Sequence, residues 1–162
     1  MILVTGGTGL VGAHLLYHLI KNDENVRAIF RSEEKINKTK EVFSFYTDDE
    51  NFFSKIEWFE ADITDVPSMI PAFQGIKKVY HCAALISFNP KDYLEMRRVN
   101  IHGTAIIANL SIDAKVDKIC FVGSIASVGD SLNGNVITEE NEWNKEADNS
   151  GYSITKFGAE ME

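Results

Sequence analysis

Near its amino terminus the chain reads Val4-Thr5-Gly6-Gly7-Thr8-Gly9-Leu10-Val11-Gly12, directly after an apolar run and at the start of a segment with helical spacing. A glycine-rich turn between a strand and a helix lets the backbone approach a pyrophosphate, and the free N–H groups at the helix start favour its negative charge. The pattern therefore predicts a dinucleotide site, with an ordinary strand-to-helix turn as the alternative. The candidate contact residues are Gly6, Thr8, Gly9, Leu10, Val11 and Gly12.

Five short apolar runs alternate with longer segments of helical period along the chain. This is the pattern of βαβ units around a parallel sheet, and none of the runs has a clean polar face, as expected of strands covered on both sides. We therefore predict an α/β fold, a Rossmann-like doubly wound parallel sheet with helices on both faces. The predicted strands are 2–4, 26–30, 56–59, 79–83 and 119–122.

The segments between the runs have the apolar spacing of helices. This spacing covers 10–20 and 92–110, and Pro67 begins a shorter helix that ends at Gly75. The long polar segment 32–53 carries aromatic residues that indicate a helix covering the sheet edge. We expect 130–150, which is polar and rich in turn residues, to be a loop over the carboxyl ends of the strands, where ligands bind in this architecture.

Composition and charge limit the class of protein. The length of 162 residues suits one domain, and 44% hydrophobic with 25% charged residues is typical of a soluble globular protein. The formal charge of −8 argues against nucleic acid and anionic membrane partners, because both need clustered Lys and Arg. A first strand at Ile2 and the lack of an apolar run of bilayer length predict a cytoplasmic protein.

Two cysteines, Cys82 and Cys120, lie inside apolar runs. No CxxC pair or histidine at metal-ligand spacing accompanies them in the sequence. We therefore expect free thiols that behave as small hydrophobic side chains, and no metal site.

The end of the second run indicates which nicotinamide dinucleotide is preferred. An acid here would bind the adenosine ribose and repel a 2′-phosphate, but Phe30 takes its place and Arg31 can pair with a phosphate. NADP(H) is therefore the expected cofactor. In the alternative, NAD(H) binds and Arg31 is only a solvated surface charge. After the third run, Asp62 beside the apolar Ile63 is a candidate acceptor for the adenine amino group, unless Asp62 caps the next turn.

Further along, Tyr152 and Lys156 are four residues apart, which places them on one face of a helix. A free tyrosine has a pKa of about 10 and is a poor acid–base catalyst at neutral pH, but a fixed ammonium beside it stabilises the phenolate. Ser124, at the end of the fifth run, is placed to hydrogen-bond a substrate oxygen. The YxxxK spacing also occurs by chance in many helices; its position after the fifth strand favours a catalytic group.

Taken together, these motifs resemble the extended short-chain dehydrogenases/reductases of the NAD-dependent epimerase/dehydratase superfamily, nearly from end to end. The matching segments are 5–12 (TGxxGxxG), Asp62-Ile63, His81-Cys82-Ala83-Ala84, Val99-Asn100-Ile101-His102-Gly103-Thr104, Gly123-Ser124 and 152–156 (YxxxK). The resemblance implies that Asp62 and Ile63 lie on the adenine side and that Ala83 and Ala84 lie beneath the nicotinamide ribose.

Within the superfamily, 83–88 and 124–129 are most similar to the dihydroflavonol reductase and 3β-hydroxysteroid dehydrogenase branch. The resemblance implies an NADP(H)-dependent oxidoreductase in which hydride moves between nicotinamide and a carbonyl carbon of a small-molecule substrate, while Tyr152 exchanges a proton with the oxygen. Lys156 would hold the nicotinamide ribose and Ser124 the substrate oxygen. Asn100 has a structural or proton-relay part, or bonds a nearby backbone group. The alternatives are a sugar-nucleotide epimerase or dehydratase, and a non-catalytic NAD(P)-binding sensor, which would have no use for the Ser–Tyr–Lys group.

The chain stops at Glu162, inside the helix predicted to carry Tyr152 and Lys156, without a stop signal. We therefore expect an incomplete nucleotide-binding domain over 1–162, with the carboxyl-terminal substrate lobe of related proteins absent, weak cofactor binding and little or no turnover. The resemblance implies pairing through the helices that 92–110 and 152–162 represent. Either a homodimer or self-association through an exposed sheet edge is expected.

Overall fold

The computed structural model describes residues 1–129, 136–138 and 140–162. These residues form two compact units, the first made of Met1–Ala83 and Ile106–Val122 and the second of Ala84–Ala105 and Gly123–Glu162. The first unit contains the sheet, and the second contains the helix of Tyr152 and Lys156. That 1–162 is one incomplete nucleotide-binding domain stays a prediction.

The first unit is built on a five-stranded sheet with the strand order β3-β2-β1-β4-β5, and all four strand pairs are parallel. The chain crosses from β3 at one edge to β4 beside β1, so the strand order reverses between β1 and β4, where ligands bind in such sheets. The predicted α/β fold with a Rossmann-like parallel sheet is confirmed. The strands are β1 Ile2–Thr5, β2 Val26–Phe30, β3 Glu57–Glu60, β4 Lys78–His81 and β5 Lys118–Phe121.

The helices that connect the first four strands are α1 Leu10–Lys21, α2 Glu33–Ser44, α3 Glu50–Ser54 and α4 Val66–Ala72. The Asp65 carboxylate caps α4 by accepting the Ser68 N–H at 3.1 Å, and Pro67 stands in its first turn. The predicted helices at 10–20 and after Pro67 are therefore present. The polar segment 32–53 contains two helices where one was predicted, because residues 45–49 interrupt it.

The core of the first unit lies between β1, β2, α1 and α2. Leu16 and Ile20 of α1 are buried in one cluster with Val4 and Val26 of the strands, and Phe43 of α2 packs into the same cluster. Burying a side chain of this size stabilises a fold by about 1.5–3 kcal/mol. This packing holds α1, and with it the glycine-rich turn at its start, against the sheet.

The two edge strands depart from the predicted burial. We expected strands covered on both sides, but β3 and β5 contain exposed residues, and Ile119 in β5 is 43% exposed. Among the described residues each edge strand pairs on one side only, so fewer neighbours cover its faces. Cys120 is exposed for the same reason, although its strand was expected to be covered on both sides. Cys82 is partly buried, and both thiols are free.

The second unit is mostly helical. A 3₁₀ turn over Pro90–Asp92 leads into α5 Tyr93–Met96, a wider π-helical segment over Arg97–His102 and then α6 Gly103–Asp113, whose later residues belong to the first unit. The helix predicted over 92–110 is therefore present, with a π segment around Asn100. Such segments often occur at functional sites.

The helix α7 covers Gly151–Glu160 and begins at a serine cap, where Ser150 Oγ accepts the Ser153 N–H at 3.1 Å. The predicted loop 130–150 lies partly outside the described residues, namely at 130–135 and 139, and its described part contains no helix or strand. Within the described ranges, no helix is long and apolar enough to cross a membrane. The same ranges contain no cluster of three or more His, Cys, Asp or Glu side chains that could hold a metal ion.

Candidate functional site

The turn between β1 and α1 requires glycine at two of its predicted positions. Gly6 has a φ of +69°, and a Cβ there would lie 2.6 Å from the backbone nitrogen of Ala83. A Cβ on Gly12 would overlap the Gly6 carbonyl oxygen. Gly9 closes the turn by donating its N–H to that oxygen at 2.9 Å. The turn is therefore held close to the end of β4, with no room for a side chain at Gly6 or Gly12.

The start of α1 presents main-chain donors. Gly9 caps the helix without a side-chain hydrogen bond, and the first turn of α1 has no acidic residue. Leu10 and Val11 are exposed, and Thr8 is partly exposed. Because no side chain of the helix competes for these N–H groups, the positive end of α1 suits a phosphate.

Thr39, which the sequence analysis missed, supports this turn from α2. It is fully buried, and its hydroxyl donates to the Gly7 carbonyl oxygen at 3.2 Å. A single threonine in a polar helical segment gives no signal of this contact, because its partner lies 32 residues away in the sequence. Thr39 therefore fixes the turn through a contact that only the folded chain creates.

Thr5 and His81 connect β1 to β4 beside the turn. Both are buried, and Thr5 Oγ1 lies 2.5 Å from His81 Nδ1. The Thr5 hydroxyl also accepts the Ala83 N–H at 3.3 Å. This contact fixes the backbone of Ala83, a predicted cofactor residue. Ala84, predicted beside it, begins the second unit and is exposed.

Arg31 and Asp62, predicted for the adenosine end of the cofactor, contact each other. Arg31 Nη1 lies 3.5 Å from Asp62 Oδ2, and the Arg31 side chain is 52% exposed. The other carboxylate oxygen accepts both the N–H and the hydroxyl of Thr64 at 2.8 Å, which is the turn-capping alternative for Asp62. Burial raises the pKa of the Asp62 carboxyl, but the Thr64 hydrogen bonds and the Arg31 charge outweigh it, so the pKa lies below its ordinary value. Ile63 is buried.

Tyr152 and Lys156 lie one turn apart on α7, in the second unit. Tyr152 is partly exposed, and its ring centroid lies 6.3 Å from that of Phe88. Lys156 is only 2% exposed. Burial lowers the pKa of the Lys156 ammonium, and the negative charge of Glu160 opposes this shift. The helix thus presents a phenol and a buried cation in the predicted order.

Ser124 begins a 3₁₀ turn over Ile125–Ser127, where its hydroxyl accepts the Ala126 N–H at 3.1 Å. Its carbonyl oxygen accepts the hydroxyl of Ser127 at 2.6 Å, and Ser127 is buried. The serine predicted for the substrate oxygen therefore stands in a turn whose backbone is fixed by a neighbour that the sequence analysis did not single out.

Asn100, in the π-helical segment, is 2% exposed and uses both ends of its side-chain amide. Its oxygen accepts the Leu85 N–H at 2.7 Å, and its nitrogen donates to the Leu85 carbonyl at 2.9 Å and to Thr155 Oγ1 at 3.0 Å. This arrangement agrees with the structural alternative for Asn100. A proton-relay role stays a prediction.

The second unit also contains an open cavity of about 480 Å³ beside the start of α7. No charged side chain is among its described lining residues, and Phe88, which faces the Tyr152 ring, is one of them. The volume is within the range of small-molecule sites. The lining residues are Ser87, Phe88, Asn89, Pro90, Tyr93, Met96, Asn149, Ser150, Gly151 and Ile154.

Residues 2–162 match the sequence profile of the NAD dependent epimerase/dehydratase family. The chain belongs to this family. The resemblance drawn from the TGxxGxxG and YxxxK motifs is therefore confirmed, and so is the assignment to the extended short-chain dehydrogenases/reductases.

Curated relatives of this chain include two that are named as reductases. Sterol demethylase protein B of Methylococcus capsulatus is 29% identical over 78% of this chain and 35% of its own length. Vestitone reductase of Medicago sativa is 25% identical over 88% of this chain and 43% of its own. Dihydroflavonol 4-reductase of Dianthus caryophyllus is 26% identical over 88% and 39%. The chain spans less than half the length of these relatives.

Several solved structures share the fold of this chain. A short-chain dehydrogenase/reductase superfamily protein from Agrobacterium tumefaciens with bound NAD is 25% identical, with a TM-score of 0.76 over 99% of this chain and 43% of its own. UDP-glucose 4-epimerase of Thermotoga maritima with UDP-glucose is also 25% identical, with a TM-score of 0.75 over 99% and 48%. Yeast methylglyoxal/isovaleraldehyde reductase Gre2 with NADPH, at 23% identity, shows the fold alone, with a TM-score of 0.78 over 99% and 50%.

Proposed function

We propose that this chain is the nucleotide-binding portion of an NADP(H)-dependent oxidoreductase that transfers hydride between nicotinamide and a carbonyl or alcohol carbon. The observation that carries the proposal is the turn between β1 and α1, where Gly6 and Gly12 admit no side chain and the start of α1 is free of competing acceptors. An ordinary strand-to-helix turn needs no such close backbone approach, whereas a pyrophosphate site does.

The residues present suit a nicotinamide dinucleotide. Gly6 and Gly12 bring the main chain of the turn close together, and the N–H groups of Leu10 and Val11 would hold the pyrophosphate. Thr39 and Thr5 brace the turn and the adjoining Ala83 backbone. The bound cofactor would supply the hydride; the protein supplies orientation and charge.

Arg31 supports a preference for the phosphorylated cofactor. Its guanidinium is about half exposed, and the apolar Phe30 stands where an acid would bind a ribose. The pairing with Asp62 is long, at 3.5 Å, and reaches only one carboxylate oxygen, since Thr64 occupies the other. A 2′-phosphate carries more charge than a carboxylate and would compete for Arg31.

Proton transfer is assigned to α7. Tyr152 would exchange its phenolic proton with the substrate oxygen, and the buried Lys156 ammonium would stabilise the phenolate that results. Ser124 would donate a hydrogen bond to the same oxygen while its own oxygen accepts the Ala126 N–H at 3.1 Å.

The cavity beside α7 supports a neutral, largely apolar substrate. Its described lining contains the apolar or aromatic side chains of Phe88, Pro90, Tyr93, Met96 and Ile154 and no lysine or arginine. A diphosphate-linked sugar needs cationic partners for its phosphates. A sugar-nucleotide epimerase is the second candidate, favoured by the likeness to the Thermotoga maritima UDP-glucose 4-epimerase.

The test is calorimetric titration of the chain with NADP⁺ and with NAD⁺, at protein concentrations suited to weak binding. We expect NADP⁺ to bind more tightly, and Arg31→Glu to weaken NADP⁺ binding by roughly 10- to 100-fold, since a charge-assisted hydrogen bond contributes about 1.5–3 kcal/mol. Arg97→Glu makes the same charge change at an exposed site of the second unit and should leave binding unaltered. Equal binding of the two dinucleotides by the wild type and Arg31→Glu would refute the NADP(H) preference.

Hydride transfer is tested on the full-length protein. Net consumption of NADPH with an aromatic ketone is expected of a reductase, and Tyr152→Phe should abolish it. Interconversion of a UDP-sugar without net change in cofactor would instead establish the epimerase.

A further inference from the structure

The carboxylate of Glu160, at the end of α7, reaches the turn that carries Ser124. Glu160 Oε1 lies 2.6 Å from the hydroxyl oxygen of Ser127. The same hydroxyl oxygen also lies 2.6 Å from the Ser124 carbonyl oxygen, so its one proton is shared between the two acceptors, and Ser127 is buried. One hydroxyl group therefore links the helix of Tyr152 and Lys156 to the backbone of Ser124.

Gly123 provides the space for this contact. A Cβ at this position would lie 2.8 Å from Glu160 Oε1, closer than side-chain carbons approach other atoms in proteins. Gly123 directly precedes Ser124 in the sequence. A carboxylate can therefore approach the chain beside Ser124 only because residue 123 has no side chain.

The turn itself is held by a small set of hydrogen bonds around Ser124. Its hydroxyl accepts the Ala126 N–H, and its carbonyl oxygen accepts the Ser127 N–H at 3.0 Å as well as the Ser127 hydroxyl. Without Glu160, these bonds would hold the turn only to itself. The carboxylate adds a hydrogen-bonding contact to α7, against which the turn also packs.

Glu160 also acts on Lys156, one helical turn earlier. Its negative charge raises the pKa of the Lys156 ammonium, against the lowering by burial. The helical segments packed against α7 carry the further charged or titratable groups Tyr93, Asp92, Lys91, Glu95, Arg97, Arg98 and His102, of which Glu95 and Arg98 pair at 2.7 Å. Glu160 supplies the negative charge that raises the pKa of Lys156.

We propose that Glu160 is a positioning residue, which holds the Ser124 turn against α7 and supplies the counter-charge of Lys156. This inference rests on the proposed function, because it assigns Glu160 to the same Ser–Tyr–Lys group. Glu160 acts through Ser127 and Lys156.

The experiment compares Glu160→Gln, Glu160→Ala and the control Glu162→Gln in the 162-residue chain. Nuclear magnetic resonance follows the titration of the Lys156 side chain and the hydrogen exchange of the Ala126 and Ser127 amides. Glu160→Gln keeps an acceptor for Ser127 but loses the charge, so the Lys156 titration should move to lower pH while amide exchange stays near that of the wild type. Glu160→Ala should move the titration in the same direction and speed amide exchange by about tenfold or more, as for loss of a hydrogen bond to a charged group.

A second variant changes the geometry without removing any charge. Gly123→Ala places a Cβ 2.8 Å from Glu160 Oε1, so the carboxylate must shift away and exchange of the Ala126 and Ser127 amides should speed up as in Glu160→Ala. Glu162→Gln removes an exposed carboxylate outside this network and should produce neither effect.

The proposal is overturned if Glu160→Gln leaves the Lys156 titration in place, or if Glu160→Ala and Gly123→Ala leave both amides protected as in the wild type. Should Glu160→Ala fail to fold by circular dichroism, the titration of the nearly isosteric Glu160→Gln decides. The Lys156 titration and the amide exchange are both measured without cofactor. Absence of NADP⁺ binding to the wild type would therefore contradict the proposed function without deciding the role of Glu160.

Discussion

The side-chain amide of Asn100 donates a hydrogen bond to the hydroxyl oxygen of Thr155 at 3.0 Å, and both residues are buried. Asn100 also makes two hydrogen bonds to the backbone of Leu85. Thr155 directly precedes Lys156 on α7. One amide therefore joins the segment that follows β4 to the helix of the proposed catalytic pair.

Asn100→Leu should lower the free energy of unfolding by about 2–4 kcal/mol. The leucine matches the size of the amide but leaves the Leu85 N–H and carbonyl without their partner, and each unpaired buried polar group costs about 1–3 kcal/mol. Urea denaturation measures the loss. Asn109→Leu, at an exposed asparagine of α6, is the matched control and should change stability by less than about 0.5 kcal/mol. Equal stability of the two variants would contradict this role of Asn100.

Gly6→Ala and Gly75→Ala separate backbone strain from steric overlap. Both glycines have positive φ angles, of +69° and +76°, but a Cβ at Gly75 meets nothing within 4 Å, whereas one at Gly6 lies 2.6 Å from the Ala83 nitrogen. Gly75→Ala should therefore cost about 1–2 kcal/mol, the strain of the left-handed conformation. Gly6→Ala should cost clearly more, because the end of β4 must also move. Thermal unfolding of the two variants gives the comparison, and similar losses in both would show that the approach of Gly6 to Ala83 is unimportant.

The Asp62 carboxylate should contribute to stability that is lost in acid. Its pKa in the folded chain lies below the ordinary value of about 3.9, so its contribution is fully present above that value and disappears as the pH falls through the folded pKa. Since Asp62 and Arg31 are both partly exposed, we expect less than about 1 kcal/mol. Asp62→Asn should destabilise the protein at pH 7 and approach the wild type as the pH falls below the ordinary carboxyl pKa and through the folded-state pKa, as measured by urea denaturation across pH. Asp48→Asn, at an exposed aspartate, should show no such convergence.

The two thiols should differ in reactivity. Burial raises the pKa of Cys82 to about 11, and Cys120 adds to that shift, so roughly one Cys82 thiol in a thousand is ionised at pH 8. Cys120 is exposed. A disulfide reagent should therefore label Cys120 first, and Cys120→Ser should remove the fast phase. Retention of that phase in Cys120→Ser, with its loss in Cys82→Ser, would reverse the assignment.

The positions of the strands and of the glycine-rich turn could be predicted because they depend on local patterns. Apolar runs of strand length marked β1 to β5 to within one or two residues, and the requirement for glycine at Gly6 and Gly12 follows from a turn between adjacent elements. Exposure of β5 could not be predicted in this way, because burial at a sheet edge depends on which neighbours cover it. An apolar run such as Ile119 to Val122 has the same sequence at an edge as in the centre.

The supporting contacts could not be predicted, because each joins residues far apart in sequence. Thr39 reaches Gly7 and Ser127 reaches Glu160 through the fold, and no spacing rule connects such pairs. The two hydrogen bonds from Asn100 to Leu85 span 15 residues, which left its role open between structural and chemical alternatives. The hydrogen-bond partner of a polar side chain in a helix can be predicted from sequence only when it lies about one helical turn away.

Asp62 pairs with Arg31, so a substitution at Asp62 would alter the expected preference for NADP(H) even if Asp62 does not contact the 2′-phosphate. A 2′-phosphate must displace Asp62 from Arg31, so part of its attraction is offset before binding begins. Replacing Asp62 by an uncharged residue would leave the Arg31 guanidinium without this ion pair. The ratio of NADP⁺ affinity to NAD⁺ affinity should then rise, although Arg31 is unchanged. Selectivity between the two dinucleotides could therefore change during evolution by single substitutions beside Arg31, while Arg31 itself stays constant.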